Sequence, residues 1–108
     1  MATRDPTARQ NSVMTRTLHL RISGRVQGVG YRDALRREAQ SHEISGWVRN
    51  CRDGTVEAVV QGGPEALERI LAWAGRGPPA ARVSEVSAPE ASGEFDRPYI
   101  GFDILPTP

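Results

Sequence analysis

The sequence predicts an α+β fold: an antiparallel sheet with two helices on one face, in the order β-α-β-β-α-β plus one terminal strand. Three observations predict it. Residues 17–26 begin with apolar and polar residues in strict alternation, as a half-buried strand does. Two strand-like runs in mid-chain are joined by Arg52-Asp53-Gly54, and Asp-Gly between such runs signals a hairpin. Two further segments repeat apolar residues every three or four positions, the period of an amphipathic helix.

The first strand is expected from Thr17 to Val26, burying Leu18, Leu20 and Ile22. A helix follows from Arg32 to His42. Tyr31, Leu35 and Ala39 share its apolar stripe with Ala34 beside them, while Arg36, Arg37 and Gln40 stay wet. Strands at Ile44 to Cys51 and Thr55 to Gln61 form the central hairpin. Gly62-Gly63-Pro64 stops the second of these, and Pro64 suits the first turn of a helix. In that helix Leu67, Ile70, Leu71 and Ala74 form one face, and Gly75, Gly77, Pro78 and Pro79 end it. A short strand is expected from Arg82 to Ala88, then a loose segment from Pro89 to Pro98. The last strand is expected from Tyr99 to Leu105, with Ile100, Phe102 and Ile104 pointing inward. This order is the ferredoxin-like α/β sandwich, a plan that hosts many functions and fixes none.

Composition narrows the field. The chain has 108 residues and a formal net charge of +1, so no global field draws it to nucleic acid or membrane. Residues 1–16 are polar and read as a disordered tail ahead of the domain at 17–108. Met14, just before the first strand, is a candidate translation start. No apolar stretch is long enough to span a bilayer. The lone cysteine, Cys51, excludes a disulfide framework and a cysteine-rich metal site, and fits a cytoplasmic location. All 14 basic residues are arginine, which rules out Schiff-base chemistry and a P-loop lysine. It also means that an arginine needs context before it signifies phosphate.

The context lies after the first strand. In Gly24-Arg25-Val26-Gln27-Gly28-Val29-Gly30-Tyr31-Arg32, Gly28 and Gly30 can take positive φ without steric cost. Alternating backbone signs turn successive N–H groups inward as an anion nest. The helix N-terminus adds its unpaired N–H groups and partial positive charge. Arg32, at the mouth, can give two parallel donors to a phosphate. The motif is neither a dinucleotide fingerprint nor a P-loop. Spacing alone leaves a plain strand-to-helix turn as the rival reading.

A second motif, Gly46-Trp47-Val48-Arg49-Asn50, sits on the hairpin. The two together closely resemble the acylphosphatase family, and the likeness runs from about Thr17 to Leu105. The resemblance implies a ferredoxin-like enzyme that hydrolyses acyl phosphates to carboxylate and inorganic phosphate, with no metal or cofactor. It implies that Gln27, Gly28, Val29, Gly30, Tyr31 and Arg32 cradle the phosphate, that Arg32 binds it, and that Asn50 orients the attacking water. The visible departure is Tyr31, where the family commonly has Phe; a ring packs in either case.

Other residues read as structural. His19 and His42 are not placed as catalysts, Trp47 and Trp73 read as packing, and Cys51 falls on the opposite sheet face from Asn50. Thr55 could add a hydroxyl near the site, although Thr at a strand start is ordinary. RNA binding would require aromatics on the first and third strands, where Leu18, Leu20, Ile22, Val56, Ala58 and Val60 stand instead. The competing reading is a non-catalytic phosphate or carbamoyl-phosphate binding domain, as occurs within larger hydrogenase-maturation proteins. A stand-alone, monomeric enzyme with a small-molecule acyl phosphate substrate is the expectation.

Overall fold

The computed structural model describes residues 15–108. Residues 1–14 lie outside them, and with these nearly all of the expected tail. The elements are β1 (Arg16–Arg25), α1 (Tyr31–Ser41), β2 (Ser45–Asn50), β3 (Val56–Gly62), α2 (Pro64–Arg76), β4 (Arg82–Ser87) and β5 (Phe102–Ile104). A 3₁₀ turn, Gly93–Phe95, lies between the last two strands. β1 to β4 and α1 fall within one residue of the bounds expected from sequence.

The sheet order is β4-β1-β3-β2-β5. Leu18, Leu20 and Ile22 stand opposite Val60, Ala58 and Val56 across the β1–β3 ladder. These six side chains form the floor of the core. Tyr31, Leu35 and Ala39 of α1 and Leu67, Ile70 and Ala74 of α2 press on that floor, and all six are buried. Each large aliphatic group so buried contributes roughly 1.5–3 kcal/mol. Both helices lie on this one face, as the alternation required.

Two expectations at the C-terminal end are corrected. The sheet is mixed rather than wholly antiparallel, because β5 runs parallel to β2. The reason is the route of the connection. Glu90 bridges Leu18, so the chain follows β1 past the end of β4. The Phe95 ring then meets those of His19 and Trp47, which carries the segment across the sheet face away from the helices. It arrives beside the start of β2, where Gly46 pairs with Phe102. Ile100 does not point inward: it is 96% exposed. Gly101 adopts φ 72°, which breaks the alternation, so the strand begins at Phe102 and buries that ring instead.

Candidate active site

The segment between β1 and α1 takes the form that its glycines suggested. Gly28 and Gly30 have φ 73° and 81°. Gly30 is the N-cap of α1 and no side chain caps that end, so the first-turn N–H groups stay open to an outside acceptor. A cavity of about 200 Å³ sits here, walled by Val26, Gly28, Gly30, Tyr31, Arg32, Asp33 and Ile104.

Arg32 is half-buried at the first turn of α1. Among the described residues no carboxylate pairs with it; the neighbouring Asp33 lies 3.9 Å from Arg36 instead. The Arg32 fork is therefore uncommitted within this part of the chain. Val29 turns down and packs against the core. The Tyr31 ring is buried and its hydroxyl donates to the Ala74 carbonyl, so only its main chain faces the loop. Burial pushes the Tyr31 phenol well above its ordinary range, and it stays a donor.

Asn50 ends β2, opposite Val56 on β3. Two residues back, Val48 is in the core beneath the helices, and side chains at i and i+2 share a face. Asn50 therefore projects to the side on which α1 begins. Its Oδ1 is buried and accepts no hydrogen bond among the described residues. A buried acceptor left so costs ~1–3 kcal/mol. Asn50 does not line the cavity wall itself; it stands on the adjoining hairpin.

Gln27 links the two parts. Its Nε2 donates to the carbonyls of Cys51 and Thr55 at 2.8 and 2.9 Å. Gln27 is expected in the phosphate loop through its main chain; its side chain faces the hairpin. Any donation from Gln27 to a phosphate comes from its main chain. No local pattern signals this bond, since its acceptors are main-chain carbonyls 24 and 28 residues away.

The opposite face of the sheet carries a separate polar cluster. Glu57, 4% exposed, meets His19 at 2.6 Å and Arg49 at 2.8 Å. Burial pushes its carboxyl up, but the hydrogen bonds from His19 and Arg49 and their charge outweigh it and hold it below the ordinary glutamate range. Cys51 lies on this face, 3.7 Å from Glu57 Oε1, as its parity with Asn50 predicts. Thr55 is there too: its hydroxyl accepts from Arg21 and donates to Asp53. Those contacts hold Asp53 below the usual carboxylate range. Among the described residues no group of three or more His, Cys, Asp and Glu side chains could hold a metal ion.

The acylphosphatase family model matches residues 18–104, which is nearly the whole described fold. The chain belongs to the acylphosphatase family. The acylphosphatase of Thermococcus kodakarensis is 59% identical over 87 residues, covering 81% of this chain and 92% of that one. The acylphosphatase of Thiobacillus denitrificans is 53% identical over 88 residues, covering 82% and 94%. Among solved structures, an acylphosphatase from Coxiella burnetii superposes with a TM-score of 0.81 at 33% identity, over 89% of this chain and 98% of that one. No helix among the described residues is long and apolar enough to cross a membrane.

Proposed function

We propose that in this acylphosphatase the 27–32 loop and Arg32 hold the phosphoryl group of an acyl phosphate while Asn50 orients the water that attacks it. The main-chain N–H groups of residues 27–32 point their dipoles at the phosphate oxygens. Arg32 adds a two-pronged charged contact. Hydrogen bonds to a charged group contribute ~1.5–3 kcal/mol each, so four or five of them suffice to bind a small metabolite. The Asn50 Oδ1 accepts a hydrogen bond from the water and fixes the direction of the water lone pair.

The water oxygen bonds to phosphorus and the bond from phosphorus to the acyl oxygen breaks. The carboxylate leaves without needing a proton. The water proton passes to a phosphate oxygen, so no protein base is required. Positioning and charge stabilisation carry the reaction. The observation that carries this reading is the buried Asn50 Oδ1, unpartnered among the described residues, at the end of a strand whose next residue, Cys51, is hydrogen-bonded to Gln27 of the loop. We further propose that the enzyme acts as a cytoplasmic monomer without metal or cofactor, and that it takes no nucleic acid or membrane partner.

A turnover assay with acetyl, benzoyl and carbamoyl phosphate tests the reading. Hydrolysis of all three, insensitive to chelators, is expected. Saturable binding without product would instead make the domain a phosphate or carbamoyl-phosphate binder.

A further inference from the structure

The two proposed halves of the site sit on elements distant in sequence, and one side chain joins them. Cys51 N–H donates to the Thr55 carbonyl at 2.9 Å, and Gly54 N–H donates to the Cys51 carbonyl at 3.2 Å. These bonds close the hairpin turn directly after Asn50. Each carbonyl has one remaining lone pair, and the Gln27 amide nitrogen supplies a hydrogen to each. With two acceptors in front of it, the amide can present only its nitrogen end. Among the described residues these are the only hydrogen bonds between residues 26–30 and the hairpin.

We infer that Gln27 is a positioning residue that fixes the distance between the phosphate loop and Asn50. The inference rests on the proposed roles of the loop and of Asn50. Both Nε2 hydrogens of Gln27 are spent on the hairpin carbonyls, so its amide nitrogen has none left to give a phosphate. The rung Ile22–Val56–Asn50 fixes Asn50 relative to the sheet. The loop leaves that sheet after Arg25 and gains its register against the hairpin from Gln27. A misplacement of about 1 Å can cost on the order of 100-fold in rate.

The test is Gln27→Met, which keeps the length and removes the donor, measured alone and together with Asn50→Ala. For Gln27→Met alone, kcat should fall about 10- to 100-fold. The inhibition constant of inorganic phosphate should stay within about twofold, because the main-chain cradle and Arg32 remain. In the Asn50→Ala background Gln27→Met should cost nothing further, since the group it positions is gone. Gln27→Asn falls short of at least one carbonyl and should turn over at a rate between the parent and Gln27→Met; thermal melting confirms that each variant is folded. Parental kcat in both Gln27 variants overturns the inference. So does a multiplicative loss in the double variant, or a loss of phosphate affinity that accounts for the whole effect. These failures leave the role of Asn50 standing, whereas parental turnover in Asn50→Ala alone overturns both.

Discussion

The Tyr31 hydroxyl donates to the Ala74 carbonyl at 2.8 Å and so joins the two helices at the end nearest the site. The bond has a local cause. Ala74 lies in the last turn of α2, where its carbonyl would look to the N–H of residue 78, and Pro78 has none. Tyr31 supplies the missing donor from the first residue of α1.

Tyr31→Phe should therefore lower stability by ~1–2 kcal/mol, the cost of stranding one buried carbonyl. For a domain of this size that is a fall of roughly 4–8 °C in Tm per kcal/mol. Turnover should change little, because the ring and the main chain of Tyr31 stay in place. Calorimetry and a benzoyl phosphate assay on the same preparation check both parts.

Gly46 leaves no room for a side chain. Its φ is 140°, and a Cβ there would lie 1.8 Å from the Val59 carbonyl oxygen. That oxygen belongs to the neighbouring strand and cannot swing away. Gly46→Ala should destabilise by more than about 3 kcal/mol, through strain and the loss of ladder bonds. Denaturant unfolding reads the effect directly; a midpoint close to the parent's contradicts it.

The Glu57 cluster makes an acid-side prediction. The folded carboxyl titrates below its unfolded value, so its contribution is complete above about pH 4.3 and is lost as pH falls through the folded value. Tm measured from pH 6 to pH 3 should fall steeply at the acid end. Glu57→Gln, which leaves Arg49 and Arg21 without their buried anion, should be destabilised by about 2 kcal/mol at pH 6. It should also lose part of the acid slope. An unchanged slope would assign the acid sensitivity to other carboxylates.

Much of this molecule was legible in its sequence, for reasons that differ by element. Local period placed β1, α1, the Asp53-Gly54 hairpin and α2, because each buries one face against the same core. The C-terminal strand was harder. Ile100 fits a period-two pattern, yet Gly101 interrupts it, and a non-local crossing past Phe95 sets both the direction and the start of β5. The loop glycines and Arg32 suggested an anion cradle through spacing, with a plain turn as the rival, and Asn50 gained its proposed role only from the family resemblance that the two motifs carry together. Gln27 and the Tyr31 hydroxyl were illegible, since their partners are main-chain carbonyls that no residue type advertises.

Arg32→Ala should lose both substrate binding and turnover, by on the order of 10²–10³-fold in kcat/KM. Isothermal titration with inorganic phosphate should show the binding loss without any turnover. Retained phosphate affinity would move the anion site away from this loop.

In the proposed division of labour Asn50 acts on water and Arg32 on phosphate, and Asn50→Ala separates the two roles. Benzoyl phosphate turnover should drop on the order of 10²-fold or more, while inorganic phosphate still inhibits with near-parental affinity. Parental turnover in Asn50→Ala, or phosphate affinity lost in step with turnover, would rule out a water-orienting Asn50.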